Sequence, residues 1–207
     1  MNELELFLYL LPVLVVSMVL HELAHAWTAD RLGDPTPRAY GRLTLNPIVH
    51  LDPLGTAMFA ITYFLSNFLF GWAKPVAVRP EYFRRPKQHM ALVAAAGPAT
   101  NFLIAIVFIA ILVHTEIEGR AFEVAALSYQ VNLVLGIFNL IPIPPLDGSR
   151  IVGALMSDAT YERWSALDPY GMFVFFGVII IFQNEFFALV DGAYNESTRF
   201  LVQLVGG

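Results

Sequence analysis

Long runs of apolar residues limit how this chain can fold more than any other feature of its sequence. A helix that crosses the hydrocarbon core of a bilayer needs about 20 mainly apolar residues. Such runs occupy residues 6–27, 91–113, 124–141 and 170–187, and a shorter one occupies residues 54–70. The chain is 57% hydrophobic and 14% charged, whereas soluble domains carry about 25% charged residues. The sequence therefore predicts an all-α membrane protein with a bundle of about four transmembrane helices.

Two polar segments between these runs have features of β-strands. In residues 39–45, Tyr40, Arg42 and Thr44 alternate with smaller or apolar residues, and residues 74–79 form a short segment bounded by prolines. Period-two alternation is typical of a strand with one buried face. These segments predict a small β-hairpin or sheet beside the helices.

A His-Glu-x-x-His motif lies at the end of the first apolar run, at His21, Glu22 and His25. Positions i and i+4 share one face of a helix, so both imidazoles can reach one zinc ion. Glu22 lies between them and can take a proton from the attacking water. The motif also occurs by chance in soluble helices. At membrane depth, however, each ionisable group commonly costs about 2.5–3.5 kcal/mol, which favours a metal-binding role.

A third metal ligand must come from another part of the chain, because a catalytic zinc site uses three protein ligands. The chain has no Cys, which leaves His, Asp and Glu. Asp147 stands out because it follows the prolines 142, 144 and 145 and precedes Gly148. Proline breaks a helix, and irregular backbone at membrane depth is tolerated only where it faces protein or water. Asp147 is therefore a candidate ligand, although a carboxylate here could also cap a turn.

Two asparagines in the apolar runs are further candidates. Asn139 lies in the last turns of the 124–141 run, where its amide could donate to a developing oxyanion or to a neighbouring helix. Asn101 ends the segment Gly97-Pro-Ala-Thr-Asn101. The small residues of that segment favour close helix packing, and Asn101 could also orient a substrate backbone.

These motifs together resemble the site-2 protease family of intramembrane zinc metalloproteases. The resemblance rests on His-Glu-Leu-Ala-His at residues 21–25, Gly-Pro-Ala-Thr-Asn at residues 97–101, and the stretch from Asn139 to Gly148. It implies a proteolytic core of three transmembrane helices and a bound Zn²⁺. It also implies that Asp147 is a ligand beside the two histidines, and that Asn139 positions substrate or oxyanion.

The resemblance extends to the organisation of the whole chain, and Gly71-Trp-Ala-Lys-Pro-Val resembles the compact prokaryotic branch of the family. We expect one intramembrane protease domain over residues 1–207, with a catalytic core at about 6–148 and one or more helices over residues 149–207. There is no room for a PDZ or CBS domain. The expected setting is a prokaryotic cell membrane, which the chain crosses several times.

The function expected from this resemblance is zinc-dependent cleavage of peptide bonds in or near transmembrane segments of membrane proteins. The partners would be transmembrane substrates and the lipid bilayer, and not nucleic acid. Two alternatives stay open: a membrane metal-binding or transport protein that uses the same ligands, and a non-catalytic relative that binds transmembrane helices. Transporters often contain paired repeats, and none is visible in this sequence.

A shared metal also predicts the topology. His21 and His25 lie near the end of the 6–27 run, and Asp147 follows the 124–141 run. These two runs must therefore point the same way. An odd number of crossings must separate them, which predicts that residues 54–70 are re-entrant or interfacial. Four crossings then place ten of the 12 basic residues on the side of residues 28–90 and 142–169. Because cytoplasmic loops carry the Lys/Arg excess, the active site is predicted near the cytoplasmic face.

Overall fold

The computed structural model describes residues 2–65 and 70–206 and consists mainly of helices. In chain order they are α1 (Glu3–Leu32), α2 (Thr36–Ala39), α3 (Pro53–Leu65), α4 (Pro86–His114), α5 (Gly119–Asn139), α6 (Asp147–Gly153), α7 (Asp158–Ser165), α8 (Gly171–Ile181) and α9 (Gln183–Gly206). Within the described residues, four stretches are long and apolar enough to cross a membrane, namely α1, α4, α5 and Asp158–Ile181. The predicted all-α, multi-pass membrane protein is confirmed.

Helix α1 is fixed at both ends by capping residues. The Asn2 side chain accepts a hydrogen bond from the Glu5 N–H, and the Glu5 side chain accepts one from the Asn2 N–H, a reciprocal capping box. At the other end Gly33 has φ 111°, the left-handed conformation that commonly ends helices. At about 1.5 Å per residue, His21 lies about 16 Å before the end of α1. The motif is therefore inside the helix that crosses the membrane.

Helices α1 and α5 run in the same direction, and α4 packs against both. At one end Glu5 lies beside Arg120 around a small cavity. In the middle Asn132 Nδ2 donates to Ser17 Oγ at 2.8 Å, and at the other end Asp147 approaches the two motif histidines. These three levels follow the same order along α1 and along the chain from α5 to the start of α6, which agrees with the parallel arrangement predicted from the candidate metal ligands.

The short helix α3 enters the bundle without crossing it. Its 13 residues span about 20 Å, less than the hydrocarbon core of about 30 Å. Leu51, before α3, forms an antiparallel bridge with Ala73, after it, so the chain returns to the level it left. This agrees with the prediction that residues 54–70 do not span the membrane, although residues 66–69 of that range lie outside the described residues.

The predicted β-hairpin is wrong. Within residues 2–65 and 70–206 there is no β-strand, and the sole ladder contact is the isolated Leu51–Ala73 bridge. Residues 36–39 form α2, and residues 40–46 form turns and bends. Residues 74–79 are extended, but their backbone bonds to side chains: the Val76 N–H donates to Glu22 on α1, and the Arg79 N–H donates to Asp34 just after α1. The alternation in residues 39–45 therefore gave a wrong prediction, and the extended 74–79 segment bonds to carboxylates instead of to another strand.

The helices of the C-terminal third do not follow the apolar run that the sequence shows there. The run over residues 170–187 does not form a single helix, because α8 ends at Ile181 and α9 begins at Gln183. Helix α9 then lies along α4 and α5: its Leu201 joins the buried cluster around Leu133, and its Val205 carbonyl accepts a hydrogen bond from His114 Nε2 at 2.5 Å. This long contact closes the bundle around the helices that carry the site.

Candidate metal centre

Three side chains from two distant parts of the chain converge inside the bundle. His21 Nε2 lies 2.9 Å from His25 Nε2, and these atoms lie 3.2 and 3.3 Å from Asp147 Oδ2. Nitrogen and oxygen ligands about 2.0–2.1 Å from a tetrahedral zinc ion are about 3.3–3.4 Å apart. Among the described residues, no other group of His, Asp or Glu side chains brings three ligand atoms so close together.

The hydrogen bonds of both imidazoles leave their Nε2 atoms free to bind a metal. His25 Nδ1 donates to the Val93 carbonyl at 2.7 Å, and His21 Nδ1 donates to Asn101 Oδ1 at 2.6 Å. With the proton on Nδ1, each Nε2 presents a lone pair. The facing atom, Asp147 Oδ2, is buried without a hydrogen-bond partner in the described chain. Three lone-pair donors facing one point are suited to a cation such as Zn²⁺.

Helix α4 passes directly beside these ligands at Gly97. A Cβ added there would overlap His25 Nε2 and would lie 2.6 Å from His21 Nε2. The helix can approach the metal centre only because this position has no side chain. Sequence reasoning assigned residues 97–101 to helix packing in general and missed this specific contact with the ligands.

The chain beyond α5 holds Asp147 as the first residue of α6. A Cβ at Gly148 would overlap the carbonyl oxygens of Leu140 and Ile141, so the turn can fold back on α5 only with glycine at this position. Trp164 Nε1 donates to the Ser149 carbonyl at 3.0 Å, which ties α6 to α7. The close contact at Gly148 therefore gives the glycine of the motif a definite role, because it lets the chain fold back so that Asp147 reaches α1.

The Glu22 carboxylate is held by backbone from another part of the chain. Glu22 Oε2 accepts a hydrogen bond from the Val76 N–H at 3.0 Å. The 74–79 segment is fixed in turn by the Lys74 N–H, which donates to the His50 carbonyl at 2.8 Å, and by the Arg79 N–H, which donates to Asp34 Oδ2 at 2.7 Å. Asp34 is fully buried. Sequence reasoning missed this support.

The two candidate asparagines have different surroundings. Asn101 is fully buried and uses both ends of its amide within the protein: Oδ1 accepts from His21, and Nδ2 donates to Asn132 Oδ1 at 2.9 Å. Asn139 is half-buried in the last turn of α5, and its Nδ2 donates to the Leu135 carbonyl at 3.0 Å. Asn101 therefore belongs to the support of a ligand, whereas Asn139 lies at the approach to the Asp147 turn.

Comparison with known proteins agrees with this geometry. The model of peptidase family M50 matches residues 9–123 and 115–182. The Bacillus subtilis protein named "Putative zinc metalloprotease YwhC" is 39% identical over 181 residues, which cover 83% of this chain and 80% of that protein. The Mycobacterium tuberculosis strain H37Rv protein named "Putative zinc metalloprotease Rip2" is 32% identical over 174 residues, which cover 81% of this chain and 64% of that protein.

A more distant relative is also named as a zinc metalloprotease. "Zinc metalloprotease MJ0392" of Methanocaldococcus jannaschii is 29% identical over 157 residues, which cover 76% of this chain but 37% of that protein. No solved structure matches the chain. The family match includes the His-Glu-x-x-His motif and the turn that carries Asp147. The chain therefore belongs to peptidase family M50, the site-2 protease family of zinc metalloproteases.

Proposed function

We propose that this protein is a zinc-dependent intramembrane endopeptidase that hydrolyses peptide bonds in or near transmembrane segments of other membrane proteins. The observation that carries the proposal is the convergence of His21, His25 and Asp147 within 4.8 Å of one another, inside a helix bundle of membrane-spanning length. In this proposal the three side chains are the zinc ligands. Zinc held there supplies a Lewis acid that polarises the scissile carbonyl and activates water.

Glu22 is the proposed general base and acid. It follows His21 directly on α1, and its carboxylate is oriented by the Val76 N–H. It accepts a proton from the attacking water and passes that proton to the leaving amine when the peptide bond breaks. A carboxylate is needed for this transfer, because an amide in the same place cannot accept the proton.

Asn139 is the proposed oxyanion donor. Its side-chain amide has two N–H groups, and one of them already donates to the Leu135 carbonyl. That bond holds the side chain at the end of α5, so the second N–H can be directed at the developing negative charge on the substrate carbonyl. Asn101, whose amide is fully used by His21 and Asn132, is proposed to position the ligand His21 instead of the substrate.

The substrate must reach this site in an extended form, because the carbonyls of a helix are already hydrogen-bonded. We assign its docking edge to the 74–79 segment, whose Val76 N–H faces Glu22. Neighbouring residues of an extended chain point their backbone groups to opposite sides. Ala77 is exposed, and no described residue hydrogen-bonds to its backbone. An extended substrate could pair there by β-addition.

The proposed setting is a prokaryotic cell membrane, with the metal centre nearer the cytoplasmic face and both termini outside. The support is the excess of basic residues in the loops on the Asp147 side, including Arg31 and Arg79. Single cysteines placed at positions 31 and 79 of a Cys-free chain test the orientation. Both should react with a membrane-impermeant thiol reagent only after the cytoplasmic side is opened, and labelling from outside in intact cells would reverse the proposed topology.

Incubation of the purified protein with a panel of single-span membrane proteins, with and without a zinc chelator, tests the activity. Cleavage within or beside the span, lost with chelator and restored by Zn²⁺, is the expected result. Cleavage that is insensitive to chelator would contradict the proposal. Zinc binding or transport into vesicles without cleavage of any substrate would favour the alternative of a metal-binding or transport protein.

A further inference from the structure

A chain of hydrogen bonds runs from the metal centre through all three central helices. His21 Nδ1 donates to Asn101 Oδ1 (2.6 Å), Asn101 Nδ2 donates to Asn132 Oδ1 (2.9 Å), and Asn132 Nδ2 donates to Ser17 Oγ (2.8 Å). Ser17 Oγ donates in turn to the Val13 carbonyl at 2.8 Å. All four side chains are at least nine-tenths buried.

The direction of this chain is set at Asn132. Its Nδ2 also donates to the Ser128 backbone carbonyl at 2.8 Å, and a carbonyl oxygen can only accept hydrogen bonds. The nitrogen of the Asn132 amide must therefore face Ser128, and its oxygen must face Asn101. Asn101 can meet that oxygen only with its own nitrogen, which leaves its oxygen for His21.

The two metal-binding histidines differ in how their tautomers are fixed. His25 Nδ1 faces the Val93 backbone carbonyl, which cannot turn around. His21 Nδ1 faces a side-chain amide, which would present its NH₂ group if it rotated by half a turn. That NH₂ group would favour the other tautomer of His21, with the proton on Nε2, the atom that has to bind the metal.

We infer that Asn132 on α5 is a positioning residue for the metal site: through Asn101 it fixes the tautomer and ring orientation of His21. Asn132 touches neither the metal ligands nor the position of a substrate, and it acts through one intermediate side chain. The inference rests on His21 being a zinc ligand, as the proposed function has it. It adds a role for a second residue on α5, the helix that also carries the proposed oxyanion donor Asn139.

Zinc affinity, measured by competition with a chelator on the purified full-length protein, tests this role. Asn132→Leu has nearly the same size but cannot accept from Asn101, and we expect zinc to bind about 10- to 100-fold more weakly, the range typical of residues that support a ligand. With Co²⁺ as the probe, the visible absorption bands should shift, because the His21 ring is no longer held. Leu133→Ala is the matched control: it creates a cavity at the neighbouring fully buried position. It should leave zinc affinity within about twofold, since Leu133 packs in the apolar cluster with Ala105, Ile109 and Leu201 and residues without shared partners act nearly independently.

A double-mutant cycle separates positioning from general damage. If Asn132 acts only through Asn101, Asn132→Leu should cost no further zinc affinity in an Asn101→Ala background, whereas independent losses would add. Asn132→Ser is the second variant should the leucine protein not fold, because its hydroxyl can still bond the Ser128 carbonyl but is one bond too short for Asn101. Unchanged zinc affinity in both variants, or losses that add to that of Asn101→Ala, would overturn the inference. If zinc binding survives the His21→Ala change in an otherwise unaltered protein, the assignment of His21 as a ligand is itself overturned.

Discussion

The proposed metal ligands and the proposed base are supported by two different regions of the molecule. The ligands are held inside the α1–α4–α5 bundle by side chains and by close helix contact, as at Asn101 and Gly97. Glu22 is held from outside the bundle by the 74–79 segment, through the backbone N–H of Val76. Although His21 and Glu22 are adjacent in sequence, their supports share no residue. Changes in the bundle should therefore act on zinc binding, and changes in the 74–79 segment should act on turnover.

The largest expected effect comes from Glu22→Gln. The glutamine carbonyl can still accept the Val76 N–H, so the fold and the zinc content should stay unchanged. Loss of the group that moves the proton should lower kcat by about 10²- to 10⁴-fold. Zinc content is measured by metal analysis of the purified variant and kcat by substrate cleavage. A variant that loses its zinc together with its activity would show that the two supports are not separate.

Gly97→Ala tests the bundle side of the comparison. The added methyl group overlaps the Nε2 atom of His25 and crowds that of His21, so α4 must move away from the ligands. Zinc affinity should fall about 100-fold or more, at or beyond the upper end for changes around metal ligands. Gly177→Ala is the matched control, because a Cβ at this other helical glycine meets nothing within 4 Å. Equal zinc affinity in the two variants would contradict the close approach of α4.

Asp34→Asn tests the support of Glu22 by the 74–79 segment. Both oxygens of this buried carboxylate accept backbone N–H groups, from Thr36 at 2.9 Å and Arg79 at 2.7 Å. Asparagine has only one acceptor oxygen, so one N–H loses its partner and the 74–79 segment loosens around Glu22. We expect kcat to fall about tenfold, less than the 10²-fold that a 1 Å misplacement can cost, with zinc affinity unchanged.

The neighbouring aspartate provides the control for that experiment. Asp30 pairs with Arg38 at 2.6 Å, but the Arg38 side chain is 71% exposed, and surface ion pairs contribute only about 0–1 kcal/mol. Asp30→Asn should therefore leave both kcat and zinc affinity unchanged. If Asp34→Asn weakens zinc binding as much as it slows turnover, the 74–79 segment also supports the metal centre and the proposed division fails.

The candidate ligands stand out in the sequence because each one interrupts a regular pattern. His21 and His25 are ionisable residues at helical spacing in an apolar run, and Asp147 follows a run that prolines break. Their agreement on one metal then predicted the parallel course of α1 and α5. The number of membrane-spanning helices followed from apolar length alone.

The supports could not be predicted in the same way. Every residue except proline has a backbone N–H, so nothing in the sequence distinguishes Val76 as the partner of Glu22. The contact of Gly97 with the imidazoles depends on how closely α1 and α4 approach each other. A small residue in the sequence permits a close approach but does not show that one occurs. The break between α8 and α9 lies at Phe182, directly before Gln183, Asn184 and Glu185, three polar residues that the predicted run of 170–187 included. Tertiary contacts decide the first two of these features, whereas the polar residues after Phe182 were a sequence signal for the third.

The smallest expected effect lies at the far end of α1, where α3 reaches the bundle. Tyr63 OH donates to the Glu3 carbonyl at 2.8 Å, far along α1 from His21. Tyr63→Phe removes only this bond and should lower the free energy of unfolding by about 0.5–1.5 kcal/mol. Tyr40→Phe, at a residue that is 64% exposed, is the control and should change stability by less than about 0.5 kcal/mol.

Zinc affinity and kcat should be unchanged in both tyrosine variants, because neither support of the site includes this contact. Thermal unfolding in detergent, together with the chelator competition and cleavage assays, measures all three quantities. A fall in kcat for Tyr63→Phe without a fall in zinc affinity would extend the support of Glu22. The chain that continues from α3 leads to the 74–79 segment, so a shift of α3 could reach Val76 through the Leu51–Ala73 bridge. The region that controls turnover would then include the whole segment from Leu51 to Arg79.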